Sequence, residues 1–523
     1  MVSGEEDRAF ELKPPGLKYT TIKALLLGGM QALSVSLTMP AAANSLLQIG
    51  ALAGMVLVLK TSRRPWLDSW AFSISWLSGS VAWLYIALHV HGHMNSILSV
   101  LAILLLCAGL SIYYATGLWS YRQIEQQMPR WLAVMLLAAV WTAAELARAQ
   151  WFTGFPWAAI GYAHVDSFLS FAAPWVGVYG VGFMAVCLAG VLAEVFHRNI
   201  NSINVMLVVL MSVMLSWPVQ RATEQGTEII RFTLLQGNID QDLKFGEGRT
   251  EALLWYKQAM LESTSDVTVL PETAIPYFAE DLPPSFWQGI IEKFSETKQA
   301  AIIGIPTQNK GTGYGNSAMV LGMHSGPEQY DKHHLVPFGE YTPDSLRWVN
   351  QLVDFGMTNF KRSLETPKPF EWSSKQLSVN ICYEDLFGEE LAQRFVLDGV
   401  RPPDILVNIS NLGWFGNTHV IGQHLNIARM RSLELNRPTV RATNSGGTAV
   451  INAQGQIEHV LRPYTRGVLS ASVVASHDGI TPYAYWAGHW GLKPLWGFCL
   501  AIWLASHGIH RLKKRSIPAD MVQ

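Results

Sequence analysis

The sequence predicts a helical membrane domain of about eight spanning helices that carries a separate, layered α/β domain. The 523 residues are 50% hydrophobic and only 15% charged, compared with roughly 25% charged residues in a typical soluble domain. Residues 20–217 are almost continuously apolar, whereas residues 225–480 have the composition of a soluble domain. A further apolar stretch and a basic tail end the chain. The net charge of −1 gives no indication of nucleic-acid binding.

Seven apolar segments before the polar domain and one after it are candidates for membrane-spanning helices. Several are shorter than the ~20 residues that a helix needs to cross a bilayer. Their predicted bounds are 22–38, 46–60, 70–88, 96–116, 131–148, 170–195, 201–217 and 490–508. The predicted divisions are a leading segment 1–21, a membrane domain 22–220, a polar domain 225–480, a last helix 490–508 and a tail 509–523.

The positions of Lys and Arg predict the orientation of the chain. Basic residues precede the first span and follow the second, fourth, sixth and last, whereas loops 40–45 and 89–95 contain no Lys or Arg. Because positive loops face the cytoplasm, both termini are predicted there, and the polar domain lies on the opposite side. A cleavable signal peptide ending near Ala41–Ala43 is the alternative for the first span, but the segment before it is long and acidic.

Two polar features of the membrane domain invite functional interpretations. Glu145 and Arg148 lie near the outer end of the fifth span, where ionisable residues are candidates for function. Their spacing of three residues fits a simple helical ion pair equally well. His89, His91 and His93 are loosely spaced without a neighbouring carboxylate, so an ordinary loop is favoured over a metal site.

Strand-like and helix-like segments alternate in the polar domain, which predicts a layered α/β fold. The strands are nearly continuous apolar runs, typical of burial on both faces. The predicted strands are 229–235, 267–270, 300–305, 317–321, 377–381, 405–408, 440–442 and 449–451. The predicted helices lie near 249–262, 285–298, 387–396 and 420–436. Residues 342–374, with Trp348 and Phe360, form an unusually long connection, interpreted either as a surface helix or as a lid.

Three residues at strand ends point to covalent acyl transfer. Cys382 ends an apolar strand, and the other cysteines, at 107, 187 and 499, lie in apolar segments. Glu272 and Lys332 stand upstream at similar breaks. A thiolate is the nucleophile in such chemistry, a carboxylate can take and return its proton, and a cation can stabilise the oxyanion. We therefore predict that Glu272 is the base, that Lys332 favours the thiolate and binds the oxyanion, and that Cys382 carries the acyl group.

The motifs around these residues resemble the nitrilase superfamily, and more narrowly its membrane-embedded branch, the apolipoprotein N-acyltransferases. The strand-end motifs are Pro271–Ala274, Lys332–Tyr341 and Asn380–Glu384. Membrane-domain and later motifs, including Phe152–Trp157, Gly177–Gly180, Ser410–Asn411, Gln423–His424 and Thr443–Asn444, separate this branch from soluble nitrilases. The resemblance covers nearly the whole chain.

The resemblance implies an αββα sandwich on eight helices in the bacterial inner membrane, with the catalytic domain on the periplasmic side. It implies transfer of an acyl chain from a phospholipid, typically phosphatidylethanolamine, through the cysteine to the amino group of diacylglyceryl-cysteine in apolipoproteins. Neither a metal nor an organic cofactor is implied. Besides the triad, it implies supporting or substrate-contacting roles for Glu340, Tyr383, Glu384 and Trp414. For Tyr383 and Trp414, core packing is an equal alternative.

Two residues depart from the family pattern. Phe245 stands where relatives often have Trp, and Leu412 where they often have Asp, so this chain is expected to differ from its relatives in contacts with substrate.

Three other functions compete with the one that the resemblance implies. A membrane-anchored amidase with the same triad would use water as acceptor. A scaffold or lipoprotein-binding module would not need the triad, and a transporter would be expected to carry interior charges and broken helices.

Overall fold

The structure is a computed structural model that describes most of the chain. The described residues are 17–36, 43–198 and 228–515, apart from positions 245, 247, 310–312, 323–327, 344–359, 364–365 and 477–478. The seventh predicted span, Phe245 and Trp348 lie outside the described residues.

The span predicted at 490–508 is helical, and so are six of the seven spans predicted before the polar domain. These six are α1 (Leu17–Ser36), α2 (Ala43–Thr61), α3 (Pro65–Ser80), α4 (Ser96–Ile124), α5 (Arg130–Gln150) and α6 (Ala173–Arg198). In the described part of the chain, four helical segments are long and apolar enough to cross a membrane: Ala43–Thr61, Ser96–Gln127, Arg130–Thr153 and Phe168–His197. The predicted count of eight is therefore not confirmed. Helix α3, for example, has 16 residues and spans only about 24 Å of a hydrocarbon core about 30 Å thick.

Glu145 and Arg148 in α5 hold the loop that follows this helix. Arg148 Nε donates to Tyr114 Oη at 2.9 Å, and its Nη1 donates to the carbonyl oxygen of Phe155 at 2.8 Å. The backbone N–H of Ile160 donates to Glu145 Oε1 at 2.9 Å. Both side chains are buried. Among the ion pairs of the described residues, none joins Glu145 to Arg148 within 4.0 Å. Loop anchoring thus replaces the simple ion pair that the spacing suggested.

The polar domain is a sandwich of two six-stranded sheets. The first sheet has the order β12-β1-β2-β3-β4-β5 and the second β11-β10-β9-β8-β7-β6. Strands β1, β2 and β3 are parallel, as are β7, β8 and β9, and the flanking pairs are antiparallel. The strands are β1 (Ile229–Gln236), β2 (Val267–Val269), β3 (Ala300–Asn309), β4 (Gly313–Leu321), β5 (Glu328–Asp331), β6 (Phe370–Trp372), β7 (Lys375–Ile381), β8 (Ile405–Ser410), β9 (Thr439–Thr443), β10 (Ala449–Ile451), β11 (Ile457–Val460) and β12 (Gly467–Val474).

Helices cover the outer faces of both sheets, and the inner faces share one apolar core. That core includes Phe232, Val269, Val379 and Val407, all at most 2% exposed. Tyr256 and Phe294 belong to a separate buried layer between the first sheet and its helices. The remaining helices are α7 (Gln241–Lys244), α8 (Arg249–Glu262), α9 (Pro284–Glu296), α10 (Gly388–Gln393), α11 (Val420–Leu435), α12 (Pro482–Trp490) and α13 (Lys493–Arg515).

All eight predicted strands are present, and the four strands that were not predicted are the four sheet edges. These are β5, β6, β11 and β12. Strand β12 alternates between exposed and half-buried residues along most of its length, and β11 is exposed throughout. An edge strand with one solvated face lacks the continuous apolar run that marked the central strands, which is why the composition of these segments gave no signal.

Candidate active site

The predicted catalytic residues follow three strands whose ends meet at one end of the sandwich. Glu272 lies three residues beyond β2, Lys332 directly follows β5, and Cys382 directly follows β7. Strands β2 and β5 belong to the first sheet and β7 to the second. The site therefore lies between the two sheets, and its residues come from parts of the chain that are far apart in sequence.

Two carboxylates and one amide surround the ammonium group of Lys332. Lys332 Nζ lies 3.2 Å from Glu272 Oε1 and 2.9 Å from Glu340 Oε1. Asn316 Nδ2 donates to the same two oxygens at 2.8 and 2.7 Å. The backbone N–H of Asn411 donates to Glu272 Oε2 at 2.9 Å, which fixes the second oxygen. Glu272, Lys332 and Glu340 are all buried, so the arrangement is shielded from solvent.

The charge of Lys332 is maintained by its two carboxylate neighbours. Burial by itself lowers the pKa of this amine, because a charged group is costly in a low-dielectric interior. The carboxylates of Glu272 and Glu340 outweigh that effect, and the pKa of Lys332 lies well above its ordinary range. Lys332 is consequently a permanent cation at neutral pH and is available to stabilise negative charge.

Cys382 occupies a sharp turn at the end of β7. Its φ is +51°, in a left-handed region that residues other than glycine seldom adopt. Burial first, and then the carboxylate of Glu272, raise the pKa of the Cys382 thiol to about 12, although Lys332 and Arg441 lower it. The net direction is opposite to the predicted one, since Lys332 favours the thiolate but does not outweigh burial. The thiol is neutral at pH 7, so attack on an acyl group requires a base.

Glu384 joins the cysteine turn to the segment that follows Lys332. Its Oε2 accepts from the backbone N–H of Ile381, and its Oε1 accepts from that of His333, both at 2.6 Å. Tyr330 Oη donates to the same carboxylate at 2.6 Å. Glu384 is 2% exposed. The side chain thus ties the loops of Lys332 and Cys382 together across the two sheets.

Glu384→Gln is expected to lower the free energy of unfolding by about 1–3 kcal/mol, because an amide nitrogen would face N–H or O–H donors in a buried site. The Cys382 turn would loosen, and we expect acylation of Cys382 to slow by about tenfold or more. The thermal unfolding midpoint in detergent measures the first effect. Glu390→Gln, at a more exposed carboxylate that contacts His334, is the matched control and should change the midpoint little. Equal midpoints for Glu384→Gln and wild type would contradict the prediction.

Tyr383 and Trp414 occupy different environments. Tyr383 is buried, donates to the carbonyl oxygen of Gly154 at 3.1 Å and packs edge-on against Phe387. Trp414 is half-buried and lies edge-on to His91 at 5.5 Å between ring centroids. Tyr383 therefore links the cysteine turn to the loop after α5, whereas Trp414 has surface left for another contact. Leu412 is 1% exposed and packs in the core shared with the membrane helices.

No role at the site was predicted for three of its polar groups. Asn316 bridges Glu272 and Glu340, and the backbone of Asn411 binds Glu272. Lys244 Nζ donates to Thr273 Oγ1 at 2.7 Å and to the carbonyl oxygen of Glu272 at 3.3 Å. Burial lowers the pKa of Lys244 to about 7, partly offset by Glu272. A Ser–Asn motif included Asn411, and Lys244 directly precedes the family departure at Phe245, but nothing in its local sequence distinguished Asn316.

The histidine-rich loop has ordinary hydrogen-bond partners. His89 Nδ1 contacts the carbonyl oxygen of Met94 at 2.8 Å, and His91 Nδ1 contacts Asp242 Oδ1 at 2.9 Å. Over the described residues, no group of three or more His, Cys, Asp or Glu side chains is arranged to hold a metal ion.

Comparison with known proteins identifies the family. Residues 31–191 match the family model described as the apolipoprotein N-acyltransferase N-terminal domain, and residues 233–477 match the carbon-nitrogen hydrolase model. A protein named apolipoprotein N-acyltransferase from Verminephrobacter eiseniae is 39% identical over 509 residues, which cover 91% of this chain and 94% of that protein. The chain belongs to the apolipoprotein N-acyltransferase family. Its resemblance to this family and the nitrilase-like fold of its polar domain are thereby confirmed.

Other relatives of this family are similar over most of their length. A protein of the same name from Ralstonia nicotianae is 36% identical over 446 residues, which cover 84% of this chain and 85% of that protein. Among solved structures, a carbon-nitrogen hydrolase from Helicobacter pylori matches 52% of this chain and 94% of its own, with 17% identity and a TM-score of 0.35.

Proposed function

We propose that this acyltransferase moves an acyl chain from a membrane phospholipid, through a thioester on Cys382, to the N-terminal amino group of diacylglyceryl-cysteine in apolipoproteins. One observation carries the proposal: strand ends bring Glu272, Lys332 and Cys382 into a single site, in a domain that packs on apolar helices. Two relatives that match most of this chain are named apolipoprotein N-acyltransferase, which supports such an acceptor here.

In the first half-reaction, Glu272 accepts the thiol proton as the sulfur of Cys382 attacks the ester carbonyl of the phospholipid. The high thiol pKa, about 12, makes this proton transfer necessary at neutral pH. Lys332 stabilises the oxyanion of the tetrahedral intermediate. Collapse of that intermediate breaks the ester C–O bond, and Glu272 returns the proton to the departing lysophospholipid. Glu340 and Asn316 hold the side chains of Lys332 and Glu272 in position during both steps.

In the second half-reaction, the α-amino group of the acceptor attacks the thioester. Glu272 accepts the amine proton, the C–S bond breaks, and the thiolate recovers its proton from Glu272. The products are an amide and the free thiol, so no other reactant is consumed. Two substrates that use one acyl-enzyme in turn give ping-pong kinetics.

Both substrates are lipids, and the membrane helices support a site at the bilayer surface. Helix α4 exposes large apolar side chains, including Ile97 (70%) and Leu105 (72%), as expected for contact with lipid. We propose that the protein lies in the bacterial inner membrane, as its family resemblance implies. The distribution of basic loops supports an orientation with the domain at 225–480 on the periplasmic side and both termini in the cytoplasm. Phosphatidylethanolamine is the proposed donor.

Covalent labelling tests the first half-reaction. We expect the protein in phosphatidylethanolamine vesicles with a labelled acyl chain to acquire a hydroxylamine-sensitive label without an acceptor. Cys382→Ala should abolish the label, whereas Cys187→Ala, at a half-buried cysteine in α6, should retain it. Absence of label on folded wild-type protein would refute phosphatidylethanolamine as the donor.

The acceptor is tested by adding a diacylglyceryl-cysteine peptide to the labelled enzyme. We expect the label to move to a peptide with a free α-amino group and to stay on the enzyme when that amine is acetylated. Release of labelled fatty acid at the same rate with either peptide would instead favour the amidase-like enzyme that uses water.

A further inference from the structure

The carbonyl oxygen of Cys382 has a side-chain partner on helix α11. His424 Nε2 lies 3.3 Å from this oxygen, and His424 is fully buried. The φ of Cys382 is +51°, and a strained backbone of this kind persists only where its surroundings hold it. His424 is one of the groups that can hold it, because it contacts the nucleophile's own peptide unit.

The neighbours of His424 determine which of its nitrogens carries the proton. Arg441 Nη2 lies 2.6 Å from His424 Nδ1, and a guanidinium can only donate. His424 Nδ1 must therefore accept, which leaves Nε2 as the N–H that donates to the carbonyl oxygen of Cys382. Burial, and then the charge of Arg441, hold the pKa of His424 well below its ordinary range, so the ring is neutral.

Asp385 completes the arrangement from the other side. Its Oδ2 lies 3.1 Å from Arg441 Nη1 but 3.9 Å from His424 Nε2, beyond hydrogen-bonding distance. Asn380 Nδ2 donates to its Oδ1. The carboxylate thus orients Arg441 and leaves the Nε2 proton to the carbonyl oxygen of Cys382.

The membrane domain fixes the position of His424 through the preceding residue. Gln423 Oε1 accepts from Trp83 Nε1 at 3.0 Å and from Trp157 Nε1 at 2.7 Å. Gln423 Nε2 donates to the carbonyl oxygen of Ser80 at 3.0 Å. The Trp157 ring also lies against His424, with 5.5 Å between centroids. The residue that contacts the cysteine turn is therefore held by the C-terminal end of α3 and by the loop after α5.

We propose that His424 is a positioning residue that holds Cys382 in its reactive backbone conformation, and that the membrane domain sets the geometry of the nucleophile through Gln423 and His424. The inference rests on the proposed function only in taking Cys382 as the nucleophile. Neither residue needs to touch substrate.

Two substitutions at the same position separate positioning from simple packing. Glutamine places an amide nitrogen near the position of Nε2, and asparagine near that of Nδ1, so only His424→Gln can still donate to the carbonyl oxygen of Cys382. We expect His424→Asn to slow acylation of Cys382 by phospholipid by about 10- to 100-fold, and His424→Gln to remain within about threefold of wild type. Equal slowing by both variants would overturn the proposal.

Alkylation of Cys382 by iodoacetamide, followed by peptide mass spectrometry, needs no lipid and so does not depend on the proposed substrates. We expect the same order of rates, with His424→Asn slower than His424→Gln and wild type. If the alkylation rates follow this order but no variant is labelled by the phospholipid, the positioning role would be supported and the lipid donor rejected. Equal alkylation rates in the three folded proteins would reject the positioning role.

Two further measurements test the tautomer and the link to the membrane domain. In protein with 15N-labelled histidine, the nuclear magnetic resonance signal that is missing from His424→Gln belongs to His424. We expect its 15N chemical shifts to be those of a neutral ring with an unprotonated Nδ1. A protonated Nδ1 would contradict this tautomer.

Gln423→Leu removes the tryptophan and Ser80 contacts but keeps His424, and we expect alkylation of Cys382 to slow by about three- to tenfold. An unchanged rate would show that the membrane domain has no part in positioning.

Discussion

Glu272→Gln is expected to lower the rate of Cys382 acylation by about 10²–10⁴-fold at pH 7, the range for loss of a general base. The thiol is neutral at this pH because burial raises its pKa to about 12, so a base must remove the proton before or during sulfur attack. An amide at position 272 can still bind Asn316 or Lys332, but it cannot accept the proton. Single-turnover labelling from the proposed phospholipid donor measures this rate directly.

Glu340→Gln is the matched control for this experiment. Glu340 contacts the same ammonium and the same amide as Glu272, at 2.9 and 2.7 Å, and it is similarly buried. The backbone N–H of Val336 binds its other oxygen at 2.7 Å. Glu340 raises the pKa of the Cys382 thiol less than Glu272 does, so we do not expect it to take the thiol proton. We expect Glu340→Gln to slow acylation about tenfold at most. If Glu272→Gln stayed within tenfold of wild type, or if the two variants were equal, Glu272 would not be the base.

The central strands and three of the site residues could be predicted because each carries a local signal. The central strands are buried on both faces and appear as apolar runs, and Glu272, Lys332 and Cys382 each follow such a run or a polar break. The sheet edges lack that signal because solvent covers one of their faces. Asn316 was missed because its role depends on Glu272 and Glu340, which lie 44 and 24 residues away in sequence.

The charge state of Cys382 shows a second kind of limit. Sequence order placed a cation near the thiol, which predicts a lowered pKa, and Lys332 does act in that direction. Burial depends on how the two sheets and the loop after α5 enclose the turn, and no local motif encodes it. The same holds for His424, whose tautomer follows from a contact with Arg441 that is visible only in three dimensions.

Lys332→Met is expected to abolish measurable acylation and to lower the free energy of unfolding by about 3–5 kcal/mol, because removal of one partner leaves buried charges uncompensated. Lys332 is 1% exposed. Without its ammonium, Glu272 and Glu340 would share only the amide of Asn316, and their buried like charges would repel each other. The thermal unfolding midpoint in detergent measures the loss of stability, and labelling of Cys382 measures the loss of acylation.

The double variant Lys332→Met with Glu340→Gln separates the two roles of this lysine. It removes one of the two carboxylates that Lys332 balanced, so we expect the thermal unfolding midpoint to recover most of the way toward wild type. Acylation should stay undetectable, because the ammonium group that is proposed to stabilise the oxyanion is absent. Recovery of both stability and acylation would mean that Lys332 only balances buried charge, and that the oxyanion is stabilised by another group. Recovery of neither would mean that the carboxylate pair does not cause the instability of Lys332→Met.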